Sequence, residues 1–305
     1  MYKVLEVEER YQLEQLGTKE KFWYYDTDCS EIRLCKLGRE STGENWAEKV
    51  AFELAIRLGI PCAEYHLATW RGKQAVVSIP FLGENERLIH GNEILGRLYQ
   101  GYDLKDAFKL KQYKLKTVIL LFQKHLATVK LPKGYVDSDI QEPVDLFILY
   151  LLFDCWIGNQ DRHDQNWGLV LAHPQPSDGL SMAPSFDHAS SMACRMSDDE
   201  RNNRLTTADI GYAVERYIGR AKTPFFSHDG SRRLKTLECF ELSVELAKKQ
   251  KVIHKWLQKL EAISQSEVEQ VLAQVPSEFG MSDITVEFTA NYLEANKRRL
   301  LGVML

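Results

Sequence analysis

The longest apolar run of the chain, residues 144–157, constrains the fold more than any other stretch. It contains two acidic residues, Asp145 and Asp154, and it is shorter than the roughly twenty residues that a bilayer span needs. Pro143 precedes it, at a position that suits the first turn of a helix. Because the run is apolar on every side, it predicts a helix buried at the centre of a domain. No membrane span is expected.

A polar loop follows this helix directly. Residues 158–167 read GNQDRHDQNW, and a later segment reads SFDH at residues 185–188. The strand-like segments 167–172 and 180–186 flank a turn-rich stretch, so we expect them to pair as an antiparallel hairpin. In that pairing Asn166 and Asp187 are opposite each other.

The polar groups at the mouth of this hairpin suggest phosphoryl transfer. An amide oxygen from Asn166 beside a carboxylate from Asp187 would suit a magnesium ion that keeps its other positions for water and phosphate. Asp161, five residues before Asn166, reaches the same end. The order aspartate, asparagine, aspartate is the one in which protein-kinase-type enzymes place their base and two metal ligands. Taken singly, each residue is equally typical of a solvated turn.

A second hairpin is predicted near the start of the chain, from residues 22–25 and 32–36 around a polar turn. A period of two places Lys36 on the side of Ile32 and Leu34, which we take as the inward face. A buried ammonium group needs an anionic partner, and nucleotide phosphates would supply one. The alternative is a lysine at a strand end that extends to solvent.

A helix is predicted next. Residues 41–44 read STGE, a capping box, and residues 45–58 continue with helical periodicity. We expect Glu44 to take part in this cap. Glu48 lies mid-helix and faces away from Lys49, which we expect to be exposed, so Glu48 is the candidate partner for the strand lysine. The alternative is a solvated Glu48 that pairs along the helix.

Composition narrows the function classes. The 305 residues are enough for two lobes, and a formal charge of −4 with a pI near 6.1 excludes a general basic field for nucleic acid. The six cysteines show no metal-binding spacing. The acidic start of the sequence lacks the pattern of a signal peptide. A reducing cytoplasm is therefore the expected location.

The loop N-x-D-R-H-x-x-N, which runs from Asn159 to Asn166, and the A-P-x-x-D segment at residues 183–187 closely resemble the HipA family of bacterial Ser/Thr kinases. The resemblance extends to most of the chain. It implies an α+β, two-lobed protein-kinase-like fold, with a β-rich N-lobe over residues 1–82 and a mainly helical C-lobe over residues 83–305.

The resemblance also implies a catalytic mechanism that depends on ATP and Mg²⁺. Asp161 would accept the proton of the attacking hydroxyl, and Lys36 would pair with phosphate while Glu48 positions it. Asn166 and Asp187 would be the magnesium ligands.

Further nucleotide contacts are implied by two short segments. Gly17, Thr18 and Lys21 belong to a G-x-x-x-K turn that resembles the family's element over the nucleotide phosphates. Ser78 and Phe81 lie at the end of a buried strand, where a kinase hinge would meet the adenine.

Partners follow from the same resemblance. HipA-like kinases commonly act as toxins that phosphorylate a translation-related protein, often an aminoacyl-tRNA synthetase, and are countered by a DNA-binding antitoxin. We therefore expect a protein substrate and an antitoxin, and no direct contact with nucleic acid. The phosphate loop begins near residue 17, as in the short, HipT-type members that lack an additional N-terminal subdomain. Glu14 stands where the family often has a phosphorylatable serine, so the resemblance does not extend to autoregulation there.

Two other function classes stay open at this point. A small-molecule or lipid phosphotransferase would use the same base and metal ligands with a different acceptor pocket. A non-catalytic binding module is the non-enzyme alternative, and the presence of every candidate catalytic and metal residue argues against it. The segment 189–204 carries charges of both signs, which favours an extended peptide acceptor over an enclosed apolar pocket.

Overall fold

The computed structural model describes residues 1–13, 20–102, 111–172 and 179–303. It shows a mixed α+β protein with a curled N-terminal sheet and a helical C-terminal region, as the sequence predicted. The chain divides into two compact units, each assembled from three stretches. The first contains Met1–Phe81, Asp187–Val214 and Ile263–Glu294, and the second contains Leu82–Phe186, Glu215–Ala262 and Ala295–Leu305. The sequence predicted two continuous lobes and did not predict that later stretches of the chain belong to the first unit.

A six-stranded sheet is the core of the first unit. Its strands are β1 Leu5–Val7, β2 Gln12–Leu13, β3 Lys21–Asp26, β4 Glu31–Leu37, β5 Tyr65–Trp70 and β6 Lys73–Ser78. Their order in the sheet is β1-β5-β6-β4-β3-β2. β1 pairs in parallel with β5, and the other neighbours are antiparallel. The hairpin predicted near the start of the chain is β3–β4, in which Lys21 is directly opposite Lys36.

The two faces of this sheet are packed differently. Cys35 and Leu37 of β4 point to a buried cluster that they share with Val7, Phe22, Tyr24, Ala68, Trp70, Ala75 and Val77. Lys36 therefore lies on the opposite face, and the prediction that Ile32, Leu34 and Lys36 form the buried apolar side is wrong, since Ile32 is 47% exposed. β4 carries apolar residues on both sides, so alternation does not identify the side that packs.

Helix α1, Glu44–Leu58, packs against β5 and β6. The predicted apolar stripe is buried, at Trp46, Val50, Leu54 and Leu58. Gly59 ends the helix in the left-handed conformation, with φ of 79°, where glycine avoids the strain of a side chain. The other helices that begin in this unit are α5 Asp198–Thr206, α6 Val214–Ile218, α9 Gln265–Leu272, a 3₁₀ turn Ser277–Phe279 and α10 Asp283–Leu301.

The second unit is built around α4, Pro143–Ile157, whose fifteen residues are all buried and whose proline occupies the first turn. This confirms the central helix expected from the apolar run. The helices around it are α2 Gly91–Leu98, α3 Leu115–Lys124, α7 Thr236–Ala247 and α8 Gln250–Ala262. Within the described residues, no helix is both long and apolar enough to span a bilayer.

Two small sheets complete the second unit. Its strands are β7 Glu86–His90, β8 Gly168–Ala172, β9 Leu180–Met182, β10 Lys222–Phe226 and β11 Arg233–Lys235. β8 pairs with β9, as the hairpin prediction required, and also with β7, which the sequence did not suggest. β10 and β11 form a separate pair.

Candidate active site

Lys36 and Glu48 form an ion pair inside the first unit. Strand β4 supplies the lysine and α1 supplies the glutamate, and Lys36 Nζ lies 3.6 Å from Glu48 Oε1. The glutamate is almost fully buried and the lysine side chain is 15% exposed. Burial lowers the pKa of Lys36, but Tyr65, Glu48 and Asp187 raise it by more, so the net pKa is raised and the ammonium stays charged. The structure thus brings together two of the predicted residues.

Tyr65, the first residue of β5, connects this pair to Asp187. Its hydroxyl oxygen accepts a hydrogen bond from Lys36 Nζ at 3.3 Å and another from the Asp187 backbone N–H at 3.2 Å. The side chain is 1% exposed. Burial, the largest influence, raises the pKa of Tyr65, so the phenol is neutral at physiological pH. One hydroxyl group therefore positions both the strand lysine and a candidate metal ligand.

Asp187 has an unusual backbone conformation. Its φ is 58°, in the left-handed region that few residues other than glycine, asparagine and aspartate adopt. The next residue, His188, donates its backbone N–H to Glu48 Oε2 at 2.8 Å. Strained residues held by their surroundings are concentrated at functional sites. Here Tyr65 holds Asp187 on one side and Glu48 holds its neighbour on the other.

The remaining cofactor candidates of the first unit have different placements. Lys21 is directly opposite Lys36 across the β3–β4 pair, so both side chains emerge on one face of the sheet. Gly17 and Thr18 lie outside the described residues. Ser78 ends β6 and is buried, and Phe81, three residues later, is half-buried.

The catalytic-loop residues of the second unit follow α4 directly. Gly158 ends α4 in the left-handed conformation, with φ of 65°. Asn159 Nδ2 then donates to Asp154 Oδ1 at 2.9 Å, and Asn159 Oδ1 accepts from the Asp161 N–H at 3.1 Å. The loop is therefore folded back on the last turn of the central helix, and the backbone of Asp161 is held in place.

Arg162 is the buried centre of this loop. Its Nε and Nη2 bind both carboxylate oxygens of Asp154 at 2.7 Å. It also donates to the Asn166 carbonyl at 2.7 Å and to Ser185 Oγ at 2.8 Å. Burial opposes its charge, but Asp154 more than compensates, so the pKa of Arg162 is raised. Through these contacts Arg162 holds the shape of the loop.

Asp161 and Asn166 are adjacent in this loop. The side chain of Asp161 is 28% exposed, as a base that meets a substrate must be. Asn166 Nδ2 donates to the Asp161 carbonyl at 2.8 Å, which turns the amide oxygen, the atom that binds a cation, away from that carbonyl. His163 Nε2 lies 3.9 Å from Asp161 Oδ1. The chemistry of Asn166 suits a hard-oxygen ligand.

The predicted register of the metal hairpin is wrong by two residues. Leu169 pairs with Met182 and Leu171 with Leu180, so continuing the ladder would bring Asn166 opposite Ser185 rather than Asp187. The pairing also stops at Met182, short of the predicted end at residue 186. Asn166 belongs to the second compact unit and Asp187 to the first. No cluster of three or more His, Cys, Asp or Glu suited to a metal is found among the described residues.

A family model described as the HipA-like C-terminal domain matches residues 16–275. The chain belongs to the HipA-like family. The match includes every candidate site residue named above. A comparison with curated protein sequences found no match.

Solved structures show the same fold as this HipA-like chain. The crystal structure of the Helicobacter pylori proinflammatory kinase CtkA is 17% identical and has a TM-score of 0.73, with 98% of this chain and 96% of that one covered. HipA from the Shewanella oneidensis MR-1 toxin–antitoxin complex with HipB and operator DNA is 12% identical and has a TM-score of 0.59. The match covers 96% of this chain and 68% of that one.

Two sequence-based expectations about α1 of this HipA-like chain are wrong. Its N-cap is Gly43, without a side-chain cap, and Glu44 instead binds Arg39 at 2.6 Å and Arg195 at 2.8 Å. Lys49 is buried and binds Glu53 at 2.7 Å. Glu44 lies almost fully buried at the helix start, where two arginines compete successfully with the cap.

The charges of segment 189–204 are used within the first unit. Arg195 binds Glu44, Arg201 binds Asp198 and Thr285, and Arg204 binds Glu200. The segment contains the start of α5 rather than an extended strip. Its composition therefore no longer supports a peptide acceptor.

Tyr65 is a candidate site residue that sequence reasoning missed. It lies outside the polar loops, in a strand whose residues alternate without any motif. Its position in the sequence gave one indication. A tyrosine at the start of a buried strand needs a hydrogen-bond partner for its hydroxyl. Nothing in the sequence identified that partner as Lys36 or Asp187.

Proposed function

We propose that this chain is an ATP- and magnesium-dependent kinase that phosphorylates serine or threonine of a protein. The observation that supports the proposal most strongly is the buried Lys36–Glu48 ion pair joined to Asp187 through Tyr65. Retaining a buried charge pair costs desolvation. In this proposal the ion pair holds the Lys36 ammonium in position to bind a phosphate group.

The donor capacity of Lys36 supports a bound anion. An ammonium has three N–H donors. Within the part of the chain that the structure describes, Tyr65 accepts one hydrogen bond and Glu48 contributes an ion pair. The remaining capacity and the cross-strand Lys21 suit the several negative charges of a nucleotide triphosphate.

The second unit supplies the groups for the acceptor. Asp161 would orient the attacking hydroxyl and accept its proton, while Arg162 and Asn159 keep its backbone in position. Asn166 and Asp187 would hold magnesium, which when bound neutralises the charge between the phosphates. Transfer then breaks the bond from the β–γ bridging oxygen to the γ-phosphorus and forms the bond from the acceptor oxygen.

A protein acceptor and an antitoxin partner belong to the same proposal. The H. pylori neighbour is described as a kinase, and the Shewanella HipA was solved with HipB and operator DNA. A translation-related protein such as an aminoacyl-tRNA synthetase is the substrate class that the family suggests. A reducing cytoplasm, the location expected from the sequence, is part of the same proposal.

The test is incubation of the protein with γ-labelled ATP, Mg²⁺ and a cell lysate, followed by separation of proteins from small molecules. Label should enter one or a few proteins at serine or threonine. Asp161→Asn should reduce the rate by roughly 10² to 10⁴, the usual contribution of a general base, whereas Asp28→Asn in the exposed β3–β4 turn should not.

Three outcomes would contradict the proposal in different ways. Label only in a sugar, antibiotic or lipid would establish the small-molecule phosphotransferase. Nucleotide binding without transfer to any acceptor would establish a binding module. Equal rates for Asp161→Asn and the wild type would show that Asp161 is not the base.

A further inference from the structure

The hydrogen-bond roles at the Tyr65 hydroxyl leave one atom to be explained. A phenol oxygen can accept two hydrogen bonds and has a single proton to donate. Lys36 is a charged ammonium and the Asp187 N–H is a backbone amide, so both are donors only. The Tyr65 oxygen must therefore accept from both, and its own proton is not used by either.

Among the described residues of the first unit, this proton forms no hydrogen bond to an acceptor. Both hydrogen bonds of the Tyr65 hydroxyl to this part of the chain are bonds in which it accepts. The side chain is 1% exposed, so bulk water does not satisfy it. A buried donor without an acceptor is costly, which indicates that the site is completed by a ligand.

The surroundings of the hydroxyl define the ligand chemistry. Lys36 Nζ is 3.3 Å away and Lys21 is directly opposite Lys36 on the neighbouring strand. The backbone N–H that binds the hydroxyl belongs to Asp187, whose carboxylate is a candidate magnesium ligand. A ligand oxygen that binds the Lys36 ammonium and the phenol beside a candidate magnesium ligand has the chemistry expected of a phosphate oxygen.

Building on the proposed function, we infer that the Tyr65 hydroxyl donates a hydrogen bond to a phosphate oxygen of the bound nucleotide. Tyr65 is then a nucleotide-binding residue as well as a brace for Lys36 and Asp187. The charged Lys36 ammonium beside the hydroxyl favours an anionic phosphate oxygen over an uncharged acceptor of adenine or ribose. The contact therefore distinguishes a nucleotide with a phosphate chain from its nucleoside.

The experiment measures binding of Mg²⁺-ATP by titration calorimetry to the wild type and to Tyr65→Phe. We expect the variant to bind about tenfold more weakly, the usual order for a lost hydrogen bond to a charged group. Tyr24→Phe is the matched control, because Tyr24 is a buried tyrosine of the same sheet that bonds Arg33 and belongs to the cluster on the other face. It should bind ATP like the wild type.

Equal affinity of Tyr65→Phe and the wild type for Mg²⁺-ATP would overturn the inference and leave the proposed function standing. Absence of Mg²⁺-ATP binding by the wild type would overturn the proposed function and the inference with it.

A second measurement avoids dependence on the folding of the variant. With 3,5-difluorotyrosine at position 65 alone, the ¹⁹F resonance should shift strongly on addition of Mg²⁺-ATP and little on addition of adenosine. The same small shift with both ligands would also overturn the inference.

Discussion

The two compact units hold their candidate residues in opposite ways. In the second unit, Asp154, Asn159 and Arg162 lie within nine residues of one another and are bonded by several contacts of 2.7–2.9 Å. In the first unit, Lys36 and Glu48 are 3.6 Å apart, and the bond that fixes Glu48 comes from a residue 140 positions away. One arrangement is local and tight, and the other is assembled over a long distance.

The tight local arrangement is suited to stabilising the fold, and the long-range arrangement is suited to binding a further group. The Arg162–Asp154 pair is bidentate and almost fully buried, so breaking it leaves an uncompensated charge. The Lys36 ammonium keeps donor capacity within the described residues, so it can gain a partner without losing one. We therefore expect changes at the Arg162–Asp154 pair to act on folding and changes at Lys36 and Asp187 to act on binding.

The largest effect is expected for Arg162→Ala. Removal of the guanidinium strands the buried Asp154 carboxylate, which should reduce the free energy of unfolding by about 3–5 kcal/mol. Chemical denaturation measures it. Arg232→Ala is the control, since the Arg232–Glu238 pair is on the surface, with the arginine 57% exposed, and its loss should change the free energy of unfolding little. Similar losses for both variants would remove the contrast between a structural loop and an ordinary surface pair.

Next in size is Asp187→Asn, which tests the first unit through binding. At about 100 times its Kd, Mg²⁺-ATP should stabilise the wild type by about 2.7 kcal/mol, and the variant should lose most of the magnesium-dependent part. Asparagine tolerates the φ of 58°, so the fold is preserved. Thermal melts with ATP, with and without Mg²⁺, show the change. A magnesium-dependent shift as large as that of the wild type would exclude Asp187 as a ligand.

A smaller effect is expected at Lys36 itself. Because its pKa is raised by Tyr65, Glu48 and Asp187 against the effect of burial, little of the amine is deprotonated, and amine-reactive labelling should be slow at neutral pH. Mg²⁺-ATP should slow it further. Lys222 is exposed and serves as the internal control, with equal labelling in both conditions. Equal labelling of Lys36 with and without nucleotide would instead favour a strand-end lysine in solvent.

The smallest effect concerns the thiols, whose order of labelling shows which of the two units opens more readily. Burial raises the pKa to about 12 for Cys35 in β4 and also to about 12 for Cys155 in α4, so neither reacts as a thiolate near pH 8. Cys29 is exposed and should label first. In low denaturant we expect Cys35 to label before Cys155, because the strand is less enclosed than the central helix. Mass spectrometry of labelled peptides gives the order, and the reverse order would contradict it.

The sequence predicted the local features well. The apolar run predicted α4. The loop motif identified Asp161, Arg162 and Asn166, and several of their contacts in the structure are with residues nearby in the sequence. It failed where distant stretches meet. The buried side of β4 depends on the packing of β3 and β6, the cap of α1 is displaced because Arg195 reaches Glu44 from 151 residues away, and Tyr65 gains its role only from Lys36 and Asp187. Periodicity and motif spacing contain no information on such pairings.

The bond from His188 to Glu48 has a consequence for synthesis of the protein. A nascent chain of about 100 residues already contains β1 to β6 and α1, including Lys36, Glu48 and Tyr65. His188 follows about 90 residues later, and translation at about 5–20 residues per second needs roughly 4–18 s to cross that interval. During this time the sheet can form, while the peptide that holds Glu48 and the carboxylate of Asp187 are still missing. A ribosome-bound fragment that ends before residue 187 therefore contains Lys36, Glu48 and Tyr65 but lacks Asp187, the candidate metal ligand.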